Sequence, residues 1–426
     1  MQMKPLFHHR STCRLCQSDA VEAVVPLAPI PVATPNIGLS AKGRDGDGIA
    51  AVLAPLDLYL CRKCGHLQLL DIIDPEVQYT HFAYTTSISL GLTEHFGRMA
   101  DTVITRAKLA PGAFVVEVGS NDGTLLRFFK ERGMRVLGID PARATALRAT
   151  AEGIETLPTF FTTELADKIR AEHGPAAAII SNNTYANLND LDDPTDGIRR
   201  LLAKDGLFVF ETQHGADVIR RMLIDTIYHE HLSYFLIGPL VPFFARHGMQ
   251  LFAAEHLTTK GGSIRGYCQL VGGPHRPDGS IEKIMAEEAA DGLTQPETYR
   301  HFVDRLTTLR GNLSGLLEPE MKAGRRIAGY GASVGTVTLI NQFDLGHALE
   351  TVFDDKPLTG SLLGPGYRIP VLPADALYEK RPDLVIILAW RYAEPIMAKH
   401  NRFVESGGRF VVPWPIFSVH GKAGKA

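Results

Sequence analysis

Hydrophobic positions along the chain gather in short runs that end at glycine or at polar residues. Phe114, Val115, Val116, Glu117 and Val118 predict a buried parallel strand. A turn of Gly119, Ser120, Asn121, Asp122 and Gly123 follows, and Leu125, Leu126, Phe128 and Phe129 then recur at helical spacing. Arg135 to Ile139 predicts a second strand ending in Asp140, and Ala177 to Ile180 a third that runs into Ser181, Asn182, Asn183, Thr184 and Tyr185. Leu207 to Phe210 predicts a fourth, ending in Glu211. Strands alternating with helical segments predict an α/β fold around a mostly parallel sheet. The signature returns at Arg326 to Ala328 before Gly329, Tyr330, Gly331, Ala332, Ser333, Val334 and Gly335. Further strands at Thr351 to Phe353, ending in Asp354 and Asp355, and at Leu384 to Leu388 predict a second, smaller α/β layer.

The first turn has the outline of a nucleotide fold, in which glycines admit a ligand to the backbone and a helix N-terminus offers free N–H groups. Its charges differ, because Glu117 precedes the first glycine and Asp122 sits where a phosphate would be repelled. That arrangement suits a cationic cofactor without phosphate. Asp140, closing the next strand, is placed to accept both hydroxyls of a ribose. Together these favour S-adenosylmethionine over a nicotinamide cofactor, with Glu117, Gly119, Asn121, Asp122, Gly123, Asp140, Asn182 and Asn183 as contacts. The second glycine turn lacks the fingerprint spacing, which leaves a diphosphate or sugar platform and a tight structural turn both open.

A chain of 426 residues, 45% hydrophobic and 21% charged, predicts two or three domains. A formal net charge of -3, without a basic block outside the C-terminal tail, argues against a nucleic-acid partner and for a small molecule. There is no apolar stretch of membrane-spanning length, and Met1 to Arg10 lack the apolar core of a signal peptide. A cytoplasmic protein, monomeric or a small homo-oligomer, is the expectation.

Cys13 and Cys16 form one Cys-x-x-Cys pair, Cys61 and Cys64 another. Each spacing lets a turn offer two thiolates to one tetrahedral ion, so the four complete a structural zinc site with no open position for water. The intervening segment, with Pro26, Pro29, Pro31 and Pro35, reads as a loop or hairpin pinned by the metal. His66 reads as a surface histidine and Cys268 as a small buried residue.

Tyr228, His229, Glu230 and His231 place four hydrogen-bonding or proton-handling groups in a row. Buried groups of this kind each need a partner, so the run points to chemistry rather than packing, against the plainer reading of a solvated helix start.

On these motifs the chain resembles the sugar C-methyltransferases that act on nucleotide-linked 4-keto-deoxysugars. The resemblance spans nearly the whole sequence and adds Tyr84 with Thr85, Thr86 and Ser87; Asp225 to Tyr234; Gly261, Gly262, Ser263, Ile264 and Arg265; and Pro365-Gly366. It also takes in Gly407, Gly408, Arg409 and Pro413. It implies a zinc domain (1–78), a class I methyltransferase core (79–252) and a C-terminal Rossmann-like domain (253–426) that together enclose a sugar nucleotide. It implies His231 as the base that takes the proton beside the ketone, Tyr228 near the reacting centre, Glu230 on the sugar, and Tyr84 among the cofactor contacts. Histidine is common in the family at two positions held here by Asn187 and Lys260, and lysine at that of Gly335. Lys260, Arg265, Tyr330 and Ser333 are the expected contacts to the nucleotide sugar. Methylation of an oxygen or of a non-sugar ketone, and a noncatalytic sugar-nucleotide-binding protein, are the alternative readings.

Overall fold

A computed structural model describes residues 5–32, 52–80, 86, 91–356 and 369–422, and the backbone of 36–38 and 361–363. Tyr84, Thr85, Ser87, Pro35 and Pro365-Gly366 lie outside the described residues.

The central sheet has seven strands in the spatial order Thr156–Leu157, Arg135–Ile139, Phe114–Val118, Ala176–Asn182, Leu202–Gln213, Ser263–Leu270, Met249–Leu257. The first five run parallel and the last two antiparallel. Every residue of Phe114–Val118 is buried, as a strand covered by helices on both faces must be. Its valines each stabilise the fold by about 1.5–3 kcal/mol relative to exposure. The chain leaves this strand on one side and returns as Ala176–Asn182 on the other. That switch point opens a crevice beyond the strands' C-terminal ends, where ligands of open α/β sheets bind. The sheet continues through Leu270, so the boundary expected at 252 falls inside the Met249–Leu257 strand. That strand cannot leave without exposing the buried Ser263–Leu270 edge.

The helix Pro296–Lys322 buries Tyr299, Phe302, Leu306, Leu309, Leu313 and Leu317, one stripe at helical spacing, and leads into a second sheet. There Ile327–Tyr330 lies between Val352–Asp354 and Leu384–Ile387, all parallel. Ile369–Pro373 and Arg409–Val412 extend the sheet outward, and Ser418–His420 closes one side antiparallel.

In the N-terminal module, Val21–Val25, Leu58–Cys61 and Leu67–Leu69 form an antiparallel sheet that Ser233–Tyr234 joins from the central part of the chain. His66 is fully buried here, stacked on Phe235 at 5.5 Å and 3.3 Å from the Ser233 hydroxyl, not on the surface as expected. Cys268 is buried in the central sheet as expected. Among the described residues no helix is long and apolar enough to cross a membrane.

Candidate active site

The cofactor end of the crevice is built from strand ends. Gly119 and Gly123 adopt positive φ, and a Cβ at Gly119 would lie 2.0 Å from the Thr184 hydroxyl, so only glycine fits there. Asn121 is left-handed as well, and its side-chain oxygen accepts the Thr86 N–H at 2.9 Å. The Asp140 carboxylate accepts the backbone N–H groups of Asn121 (2.8 Å) and Ala142 (2.9 Å), which fixes the two turns against each other. Asp122 takes both the N–H and the hydroxyl of Thr124 at the start of the Thr124–Glu131 helix. Asn183 donates to the Asn182 side-chain oxygen at 2.8 Å, and the Asn182 amide reaches the Met99 sulfur.

Glu117 sits at the switch point with one carboxylate oxygen buried and without a hydrogen-bond partner, as is the Ser120 hydroxyl beside it. Burial, Asp140 and Asp122 push the Glu117 carboxyl well above the usual range. Three acidic groups crowded around the crevice, with one Glu117 oxygen buried and without a partner, fit a cationic ligand and would repel a diphosphate.

The second centre is the Tyr228–His231 turn. The His231 N–H closes onto the Tyr228 carbonyl at 2.9 Å, so the run is a β-turn after the short helix Ile224–Thr226, not the start of a helix. Such a turn brings its two end residues together, and the rings of Tyr228 and His231 lie 4.1 Å apart. His231 Nδ1 is 2.8 Å from the Thr226 carbonyl, which can only accept, so Nδ1 carries the proton and Nε2 keeps a lone pair. The Tyr228 hydroxyl stands 3.0 Å from that Nε2. Burial pushes the His231 pKa down to about 4, the Thr226 carbonyl opposing and Lys260 adding to the shift.

The corner residues point elsewhere. His229 is buried and its Nε2 meets the Pro55 carbonyl at 2.9 Å, which pins the turn to the N-terminal module and occupies that nitrogen. Burial raises the Glu230 carboxyl to about 7, with Lys260 pulling the other way. Lys260 adopts a left-handed conformation (φ 52°) in the Thr259–Gly261 turn; the residue as a whole is exposed, while its ammonium end lies inward near Glu211 and Glu230. Among the described residues its ammonium makes no hydrogen bond or ion pair; desolvation lowers its pKa against the pull of Glu211 and Glu230. Asn187 donates to the Asn183 carbonyl at 3.3 Å, and its buried side-chain oxygen has no partner.

The other residues expected to hold the substrate are engaged inside the protein. Arg265 is 4% exposed and grips Glu211 through two nitrogens at 2.7 and 2.9 Å, with His95 on the other carboxylate oxygen at 2.7 Å. The Tyr330 hydroxyl is taken by Asp355 and His400. Ser333 caps the Val334–Gln342 helix reciprocally with Thr336, and the neighbouring Ala332 N–H is occupied by Asp354. With a carboxylate already bound there, this glycine turn is structural rather than a diphosphate cradle.

Residues that the sequence reading passed over complete the setting. Arg391 pairs with Asp225 at 2.8 Å, and the Thr338 hydroxyl holds the Ile227 carbonyl at 2.9 Å. A Cβ on Gly335 would lie 2.1 Å from the Asp225 carbonyl oxygen, so the C-terminal helix docks directly on the segment leading into the turn. Arg391 follows a strand at the second switch point, the one signal that could have found it.

The cysteine sulfurs lie within 4.8 Å of one another, with Cys13–Cys64 at 3.6 Å and Cys16–Cys61 at 3.5 Å. These separations are close to the edge of a tetrahedron with metal–sulfur bonds of about 2.3 Å, so the set fits zinc.

Residues 13–79 match the zinc binding domain family, 92–257 the methyltransferase domain family, and 258–415 the family described as C-methyltransferase C-terminal domain. Among solved structures, magnesium protoporphyrin IX methyltransferase from Synechocystis PCC 6803 with bound SAM is 11% identical; the likeness covers 42% of this chain and 79% of that one, at a TM-score of 0.32. A S-adenosylmethionine-dependent methyltransferase from Clostridium acetobutylicum ATCC 824 is 8% identical over 43% and 92%, at 0.34. At such scores the fold assignment rests on the strand order and on the family match. The C-methyltransferase NovU of Streptomyces niveus is 33% identical over 404 residues, 95% of each chain. Likeness of that extent, covering all three parts, places the protein in the family: it belongs to the S-adenosylmethionine-dependent C-methyltransferases with an N-terminal zinc-binding domain.

Proposed function

We propose that the enzyme methylates the carbon alpha to the ketone of a nucleotide-linked keto-deoxysugar, with His231 as the base. The observation that carries this reading is the tautomer of His231: Nδ1–H is tied to the Thr226 carbonyl, and the basic Nε2 accepts the Tyr228 hydroxyl, a partner that can hand its proton relay on to a substrate. A proton alpha to a carbonyl is removable when the enolate oxygen is stabilised as the base acts. Lys260, without a protein partner among the described residues, is the hydrogen-bond donor suited to that oxygen. Glu117, Asn121, Asp122, Asp140, Asn182 and Asn183 would hold S-adenosylmethionine, which supplies an electrophilic methyl group. The remaining demand on the protein is to hold the nucleophilic carbon in line with that methyl group.

Ionisation of Glu230 assists His231. Lys260 opposes a positive charge on the imidazole, and a carboxylate at Glu230 offsets that opposition. The relatives and the geometry support carbon methylation, and the keto-sugar acceptor is the reading that uses the base and the cation together.

The test is mass spectrometry of the products formed from S-adenosylmethionine and a panel of nucleotide-linked 4-keto-deoxysugars. One added methyl, located on carbon by fragmentation, is expected. A methyl on oxygen, or turnover confined to ketones that are not sugars, would overturn the acceptor assignment.

A further inference from the structure

Away from the Tyr228–His231 turn, a second cluster joins three segments of the central domain. His214 follows the Leu202–Gln213 strand, Asp217 lies in the helix Gly215–Arg220, and His256 lies near the end of Met249–Leu257. One donor atom from each lies within 4.8 Å of the others. The His214 side chain is 3% exposed and that of Asp217 2%, whereas His256 is 38% exposed.

The proton arrangement is unusual. Glu288 is fixed as an acceptor by the N–H groups of Ile237 (2.8 Å) and Gly238 (3.2 Å), and it takes the His214 Nε2–H at 2.9 Å. In the neutral ring this leaves a lone pair on His214 Nδ1, which is buried, makes no hydrogen bond, and faces Asp217 Oδ2 at 3.4 Å. Against the cost of burial, Asp217 and Glu288 raise the His214 pKa, so a proton, or a cation in its place, lies between Nδ1 and Asp217 Oδ2. His256 Nε2 is directed at the same Asp217 oxygen at 2.5 Å, and Arg221 holds the other oxygen at 3.1 Å. A histidine whose second nitrogen donates to a fixed carboxylate is the arrangement that orients imidazole toward a metal.

We infer that His214 Nδ1, Asp217 Oδ2 and His256 Nε2 form a binding site for a divalent first-row transition ion, separate from the cysteine site. Two imidazoles and one carboxylate suit zinc or a similar borderline ion better than magnesium or calcium, and the exposed His256 edge leaves coordination positions open to water. His256, the exposed member of the set, is the donor with room to turn toward an ion. A Cβ on Gly262 would lie 2.4 Å from the Asp217 carboxyl carbon. The site therefore lies under the backbone of Gly262, next to the Thr259–Gly261 turn that carries Lys260.

The experiment is equilibrium dialysis of the untagged, zinc-loaded protein against Zn2+, with metal counted by mass spectrometry, followed by the same titration with Co2+. A second equivalent beyond the cysteine-bound ion is expected in the wild type, and its Co2+ form should add no thiolate charge-transfer absorption. His256→Ala, a change at an exposed side chain, should weaken that equivalent at least ~100-fold while S-adenosylmethionine affinity stays unchanged; Glu288→Gln should weaken it ~10–100-fold. Uptake of a single ion per chain, a second ion retained in His256→Ala, or a second ion with a thiolate signature would each overturn the site.

Discussion

At the scale of single residues, the catalytic turn separates two kinds of histidine by what each ring touches. His231 meets one carbonyl and keeps a lone pair, whereas His229 gives its Nε2 to Pro55. His231→Gln is expected to lower kcat/KM by about 10²–10⁴-fold with little change in S-adenosylmethionine binding, read from initial rates and from calorimetric titration of the cofactor. Glu230 makes the sharper prediction. Its folded pKa of about 7 lies above the ordinary 4.5, so its share of stability is full below the ordinary value and is lost as pH rises through 7. Glu230→Gln should therefore gain on wild type across that window, by on the order of 3 kcal/mol at its upper end, measured by denaturant unfolding of the cofactor-free protein. In catalysis the same group should give kcat/KM a rising limb near pH 7. That limb should vanish in Glu230→Gln and move upward in Lys260→Met, since Lys260 is the charge that holds the carboxyl down. A profile flat through neutrality in the wild type would rule out this coupling.

At the scale of elements, the loop entering the turn is held from outside its own domain. The Val334–Gln342 helix packs its first residues on Ile224–Thr226, and the tightest approach is at Gly335. The absence of a lysine there is thus a matter of space as well as chemistry, because any side chain meets the Asp225 carbonyl. Gly335→Ala should cost about 1–3 kcal/mol through overpacking and reduce kcat more than it reduces cofactor affinity. Equal loss of both, measured side by side, would show general misfolding instead. The sequence left this glycine turn open between a ligand platform and a structural turn, because its glycines resemble a nucleotide turn without the fingerprint spacing. Capping by Ser333 and occupation of the Ala332 N–H by Asp354 depend on residues that pattern does not include.

At the scale of the whole molecule, all three parts meet at the Ile224–His231 segment. The N-terminal module reaches it through Pro55 and through Arg14, a fully buried arginine between two zinc ligands that donates to the Leu232 carbonyl at 2.9 Å. The C-terminal part reaches it through Arg391, Thr338 and Gly335. Removal of the cysteine-bound zinc with a chelator should therefore lower kcat at least about tenfold, because a small displacement of the proposed base is costly. S-adenosylmethionine affinity should hold, since its proposed contacts lie on the central sheet; parallel loss of affinity would mean the zinc supports the core itself.

The sequence by itself determined what rests on neighbours along the chain: the strands and turns of both α/β layers, the paired cysteines, the acidic strand ends and the proton-handling run. Hydrophobic period, glycine placement and ligand spacing are local, and they survive whatever else the chain does. Tertiary structure alone decided which histidine of the run keeps its Nε2 as an acceptor, since that turns on the carbonyls of Thr226 and Pro55. It also decided that Arg265 serves Glu211 rather than a phosphate, and that His66 is buried. The reason is the same in each case: a polar side chain's role is set by the partner that satisfies it, and that partner's position is fixed only when distant segments pack.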